Sequence, residues 1–400
     1  MDAASSRRQP PGWARPAIAA GLVGFAALAA GSGADRLSAG NPALAARVPA
    51  LFASEALRTL GAEALSGGKA VDAAAIGEAA IRNAPTDPQS TAIFGAGKLA
   101  AGEQVTADRA FRVAGQLGWR VPITQSYWMG QALAEGKYDI AALRLDALLR
   151  QQPALLRQRQ LIDPMERNPA GRTAMIARMR LNPAWLSAYT GDVYQLPADV
   201  LLQRAEVLGE AAQSGLMLGC NEITPIAYWL SALKQHFAGS VLWRQHCPAA
   251  GTGLVSDGEL AMLDIGEKPT AFGWVLNGNA ELLLTLSRSE GGGGKRLTVD
   301  GTTGVPLSFL SQIVVLDPGR YVLAWRSENL QNRMTSRIVA SVVCLAAPPQ
   351  WVFAERDRTS RLWRANFEVD GPCTAQQVNF GVASGTGQVW LEQIKMVRAP

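Results

Sequence analysis

Gly136-Lys-Tyr-Asp-Ile-Ala-Ala-Leu-Arg-Leu-Asp-Ala-Leu-Leu-Arg-Gln-Gln-Pro153 decides how the first half of this chain is read. Its opening is an echo: Gly68-Lys69, Gly102-Glu103 and Gly136-Lys137 are spaced by 34 residues. Aligned on those glycines, Leu65, Leu99 and Leu133 lie three residues before, and Ala73, Ala107 and Ala141 five residues after. Ala80, Ala114 and Leu148 lie twelve after, and Pro85, Trp119 and Pro153 seventeen after. Pro88 and Pro122 repeat the interval and suit the first turn of a helix. Small residues at fixed positions let two helices cross closely while larger neighbours interlock. Each helix pair leaves an apolar face that the next pair must cover, so several pairs stack.

Outward from that stretch, residues 42–247 read as helix pairs, because Ala, Leu, Arg, Gln and Glu dominate and β-branched runs are scarce. Helices are expected from Leu196 through Ala212 and from Pro225 through Phe237, capping the repeats. The composition changes at Cys247-Pro-Ala-Ala-Gly-Thr-Gly253. Over 253–400, short alternating runs predict nine strands, beginning at Ala271, Glu281, Lys295, Gln312, Tyr321, Arg337, Leu362, Gln376 and Val389. Asp317-Pro-Gly-Arg320 and Asp370-Gly-Pro372 are turns in which Pro fixes φ and Gly allows the reversed bend. Strands so short and so closely spaced predict an antiparallel β-sandwich or jelly roll.

The first segment has two readings. Arg7, Arg8 and Arg15 form a basic N-terminus (1–15) ahead of an uncharged run, Pro16 to Ala34, of 19 residues with an apolar centre. About 20 apolar residues span a bilayer, and the flanking positive charge sends the downstream chain outward. A cleaved signal peptide with its site at Ser32-Gly33-Ala34 has the same layout. Either reading places the chain beyond about residue 35 outside the cytoplasm. Four cysteines there pair by domain membership as Cys220–Cys247 and Cys344–Cys373. The rival for the first pair is a zinc site from Cys220, His236, His246 and Cys247, whose spacing follows no standard pattern.

The repeat resembles the tetratricopeptide family, with Gly136, Tyr138, Ala141 and Pro153 at family positions, over residues 54–153 and through a divergent copy at Asn168 to Pro183. That resemblance implies an α-solenoid that docks a protein. The sheet half resembles jelly-roll carbohydrate-binding modules through Leu316-Asp-Pro-Gly-Arg-Tyr-Val-Leu323 and Gly387-Gln-Val-Trp-Leu-Glu-Gln-Ile-Lys-Met396. Glu392-Gln393 replaces the acidic pair such modules carry, which argues against calcium there. Strand alternation puts Trp274, Tyr321 and Trp390 in the core and leaves Trp325, Trp351 and Trp363 as the aromatics able to stack on a sugar.

Several functions are disfavoured. Arg residues are scattered and the net charge is only +5, so nucleic acid is not an expected partner. Gly291-Gly-Gly-Gly-Lys295 lacks the spacing of a phosphate loop and reads as a hairpin turn. With both histidines at 236 and 246, a Ser-His-Asp site within the sheet half is excluded. The expected protein is a non-enzymatic adaptor without cofactor. It is similar in layout to accessory proteins of bacterial exopolysaccharide synthesis and export, which implies a single-pass inner-membrane protein with its bulk in the periplasm, or a secreted one. A glycan-cleaving enzyme built on the sandwich and a purely structural assembly subunit are the alternatives.

Overall fold

The computed structural model describes residues 14–290, 292–329 and 336–399. The chain divides into two compact units, split between Gln152 and Pro153.

In the first unit, α1 (Ala14–Leu37) is long and apolar enough over Arg15–Leu37 to cross a membrane, by length and composition, and none of its apolar window is buried. Ile18, Leu22, Val23 and Phe25 are each at least 62% exposed. Its last turns belong to the domain. Gly31 lies against the Phe52 ring, and the Asp35 carboxylate accepts the N–H groups of Glu55 (3.0 Å) and Ala56 (2.9 Å). After α2 (Pro42–Ala45) come three hairpins: α3 (Ser54–Ser66) with α4 (Ala70–Asn83), α5 (Pro88–Ala100) with α6 (Gln104–Leu117), and α7 (Pro122–Ala134) with α8 (Tyr138–Gln151). Every boundary advances by 34 residues. Gly68, Gly102 and Gly136 take φ of +69°, +83° and +69° at the hairpin turns, where a Cβ would be strained. Ala73, Ala107 and Ala141 are fully buried where helices cross.

The 34-residue interval stops there. Residues 168–183 do not form another copy. Instead a short α9 (Arg159–Glu166) meets α10 (Pro169–Met179), followed by α11 (Leu186–Gly191), α12 (Ala198–Gln213), α13 (Cys220–Ala232) and α14 (His236–His246). Pro225, expected to open a helix, sits inside α13, in its second turn, where its ring costs one hydrogen bond. The helix expected through Phe237 is broken at Lys234, whose φ is +63°. These helices are tied together by buried charge. Glu166, Tyr189 and Arg204 are fully buried. The Tyr189 hydroxyl donates to Glu166 (2.7 Å), and Arg159 pairs with the other carboxylate oxygen (2.8 Å). Arg204 donates to the carbonyls of Tyr189 and Leu156.

The second unit, to which α9 to α14 belong, also holds two antiparallel sheets. The first runs β1 (Val275–Leu276), β4 (Leu307–Val314), β10 (Gln376–Val382), β6 (Ile338–Cys344), β7 (Val352–Phe353). The second runs β2 (Leu282–Arg288), β3 (Lys295–Gly301), β11 (Val389–Arg398), β5 (Gly319–Asn329), β9 (Trp363–Val369), β8 (Glu355–Arg356). Consecutive strands switch sheets repeatedly from β3 onward, as a sandwich requires. Their inner faces share one core that includes Phe309, Leu323, Trp325, Val378, Phe380 and Leu391. Val255, Leu260 and Leu263, ahead of the first strand, are part of it. The last helices touch the sandwich side: Trp243 packs on Phe272 at 6.2 Å, and the Thr224 hydroxyl accepts the Ala271 N–H (3.2 Å). The composition change at 247–253 therefore lies inside this unit.

Candidate functional site

Both disulfides join the pairs expected, Cys220–Cys247 and Cys344–Cys373, with Cα separations of 4.6 and 5.6 Å. The rival zinc site loses its thiols to the first bond. Its histidines serve the helices. Buried His246 accepts the Leu218 N–H on Nδ1 (3.2 Å) and donates from Nε2 to the Leu208 carbonyl (2.9 Å), and burial holds its pKa below the usual value. His236 Nδ1 meets the Ser231 hydroxyl at 2.8 Å, and burial lowers its pKa too.

The three candidate tryptophans have different surroundings. Trp325 is fully buried, edge to face with Phe380 at 5.2 Å, and offers no face to a ligand. Trp363 belongs to the same core and donates its indole N–H to the Ser327 carbonyl (2.7 Å). Pairing explains both: Trp325 stands opposite Trp363, on the inward side of β5 and β9. Trp351 is half-buried and lies outside, just before β7. A Cβ on Gly381 would come within 2.7 Å of the Trp351 ring, so the indole lies directly over that glycine on the outer face of β10. Phe353, also on the outer side, is 71% exposed.

Pairing defines the rest of this face. Phe380, Leu310 and Ala340 stand opposite one another in the core. Alternation then turns Asn379, Ser311 and Ser341 outward as a second aligned row. That row is nearly closed to solvent. Ser341 accepts the Gln350 N–H (2.9 Å), which fixes the start of β7, and Asn277 joins Ser311 (3.3 Å) and Ser308 (2.8 Å). The accessible surface is its border: the Trp351 ring and Phe353, with half-buried Gln377 and Ser308. A flat aromatic edge beside a hydroxyl, with Ser308 paired opposite Gly381, can stack on an apolar ring face and bond its hydroxyls.

Trp390 is buried as expected, at 4% exposed, but it does not lie between the sheets. Its parity with Ile394 and Met396 predicted a core residue, but the ladder slips between Glu392 and Lys395, and Gln393 takes φ +55°. The bulge flips the parity, so Trp390 sits opposite Thr298 and Glu328 on the outer face, roofed by the Arg296 guanidinium at 4.1 Å. Glu392 beside it is buried and held by Arg296 (3.0 Å), Ser289 (2.9 Å) and Arg326 (3.4 Å). Cations and a hydroxyl thus surround this carboxylate. Among the described residues no group of three or more His, Cys, Asp or Glu is placed to hold a metal ion.

A cleft of about 430 Å³ opens by the Cys220 disulfide, lined by Asp257, Asp264, Glu267, Lys268 and Trp274 among others. The Asp257 carboxyl, its pKa raised by burial, accepts the N–H groups of Ala261 (2.7 Å) and Met262 (2.9 Å). It caps a turn and is not free for acid–base work.

No protein-family model and no curated protein matches the chain. Solved structures do. A CBM4 module shares 13% identity at a TM-score of 0.25, over 36% of this chain and 99% of that one. The CBM22-1 xylan-binding domain of Paenibacillus barcinonensis Xyn10C shares 12% at 0.23, over 34% and 92%. The enzymatically active domain of bacteriophage CBA120 tailspike protein 4 shares 16% at 0.27, over 37% of this chain and only 21% of that one. Identity and TM-score are both low, so no property of those proteins is carried over.

Proposed function

We propose that this chain is a non-enzymatic polysaccharide-binding adaptor of the bacterial cell envelope. The sandwich holds a glycan on the outer face of its five-stranded sheet, and the helical hairpins dock a protein. The observation that carries the glycan half is Trp351, seated over Gly381 with Phe353, Gln377 and Ser308 at the border of the same face. Both disulfides fit an oxidising compartment. Retention of α1 as a single-pass inner-membrane anchor is supported by Gly31 and Asp35, which pack into the folded domain on either side of the candidate cleavage point after Ala34.

Affinity electrophoresis of the full chain through gels containing neutral and acidic polysaccharides tests the glycan half. At least one polysaccharide should retard the wild type. Trp351→Ala should weaken that retardation about tenfold, since a stacked aromatic contributes up to about 1.5 kcal/mol beyond the area it buries. No retardation by any polysaccharide, or equal retardation of the variant, would sink the reading.

A further inference from the structure

Two successive junctions between the hairpins differ in how closely the helices meet. Between α4 and α5, a Cβ on Gly77 would lie 2.6 Å from the Phe94 backbone, and one on Gly97 would lie 2.5 Å from the Ala74 backbone. Glycine is what allows that approach. One repeat later, 34 residues on, these positions are Phe111 and Gln131. Phe111 is buried and stacks on Tyr127 at 4.0 Å. The larger side chains hold α6 and α7 apart, and a cleft of about 320 Å³ opens there, lined by Arg112, Trp119, Thr124, Gln125, Trp128 and Arg144.

Three polar atoms of this cleft lack a partner among the described residues. Thr124 and Gln125 are each 1% exposed, yet Thr124 Oγ1 and Gln125 Nε2 make no hydrogen bond, and neither does Arg144 Nε. An unsatisfied buried polar group costs about 1–3 kcal/mol, so three together mark a place kept for something other than stability. Arg144 donates from Nη1 to Gln125 Oε1 (3.3 Å), and among the described residues no Asp or Glu pairs with it. Arg112 is paired with Asp108, and Arg120 covers the Trp119 ring at 5.0 Å. Among the described residues no acid lines the cleft.

The helix starts add an independent observation. A carboxylate caps α3, from Asp35, and another caps α5, from Asp87, which accepts from Ser90 N at 2.9 Å. At the matching position before α7 stands Val121, which has no side chain able to cap. The dipole of α7 and Arg144 therefore both favour negative charge in a cleft whose described lining holds no acid.

We propose that this cleft takes a carboxylate from an acidic segment of a partner protein. The choice of peptide over acidic sugar follows from the lining. Two of the unpartnered atoms, Gln125 Nε2 and Arg144 Nε, are donors only, and a carboxylate is acceptor only. A uronate ring would bring hydroxyl donors as well, and no carboxylate in the cleft is there to accept them. The proposal deepens the protein-docking half of the proposed function and stands apart from the sugar face around Trp351.

The full chain is titrated with a decamer of L-glutamate, a decamer of L-glutamine and an oligogalacturonate of matched charge, followed by tryptophan fluorescence and calorimetry. The glutamate decamer should bind at least tenfold tighter than the other two, with an affinity that falls as salt rises. Arg144→Gln should weaken it tenfold or more. Thr124→Val should weaken it while leaving Tm unchanged or raised, which separates a binding role from a folding role. Neither variant should alter retardation by polysaccharide, so failure here is distinguishable from failure of the glycan reading. Equal binding of the two peptides, full binding by both variants, or tighter binding of the oligogalacturonate overturns the proposal.

Discussion

Three glycines in the helical unit should respond to alanine with different signs. Gly130 lies in α7 at an exposed position where a Cβ meets nothing within 4 Å. Alanine there removes only the backbone entropy penalty of an interior helical glycine and should stabilise by up to about 1 kcal/mol. Gly68 also has open space where a Cβ would stand, but its φ is +69°. An L side chain in the left-handed region costs about 1–2 kcal/mol, so alanine there should destabilise by about that much. Gly97 has an ordinary helical backbone, yet its Cβ would stand 2.5 Å from Ala74 N and 2.8 Å from Ala74 Cα. A backbone cannot rotate aside as a side chain can, so α4 and α5 must separate. Overpacking costs about 1–3 kcal/mol, and opening the junction brings Gly97→Ala to the top of that range even after the gain in helix propensity. Urea unfolding of the full chain followed by circular dichroism at 222 nm ranks the three by midpoint at constant m-value. If Gly97→Ala proves neutral or stabilising, the close approach of α4 and α5 is wrong. The contrast with the open cleft between α6 and α7 then falls with it.

Three further outcomes rest on individual side chains. His246 and His236 are held neutral by burial, so the unfolded chain binds protons that the folded chain does not. Stability should be flat above about pH 6.5 and fall below it by up to about 1.4 kcal/mol per pH unit per histidine, until the depressed folded pKa is reached. Thermal melts between pH 4.5 and 7.5 test this, and unchanged Tm on acidification, compared with a His246→Gln chain, would contradict it. Glu166→Ala should cost about 3–5 kcal/mol by stranding the Arg204 charge, read by chemical denaturation, and no loss of stability would contradict it. Replacing Cys344 and Cys373 together by alanine should lower the unfolding midpoint of the sandwich by the equivalent of about 3 kcal/mol, for a cross-link spanning 29 residues. An unchanged midpoint would show that this bond constrains nothing.

Much of the scaffold was legible because its causes are local. The turn glycines, the buried alanines and the prolines at the starts of α5 and α7 each follow from backbone conformation or helix crossing within one repeat. Strands β2 to β6 and β9 to β11 follow from alternation, and the two-residue β1, β7 and β8 carry too few residues to show a period. The disulfide pairs were readable from spacing and domain membership. The stacking candidates were less so. Trp325, Trp351 and Trp363 are chemically alike, and the sequence does not say which face of which strand each will occupy.

The sequence by itself determined the 34-residue helical period, the antiparallel sandwich and the apolar first helix, because each is written in short-range periodicity or composition. Only the tertiary structure decided which side chains are available to a ligand. A single extra residue at Gln393 reverses the parity of β11 and puts Trp390 on the outer face, where Arg296 covers it and it stays buried. Gly381 makes room for Trp351 although it lies 30 residues away in the chain. Thr124 Oγ1 and Gln125 Nε2 become conspicuous only when burial shows that no group among the described residues satisfies them. Accessibility and hydrogen-bond completeness are sums over neighbours distant in sequence, and no local pattern contains them.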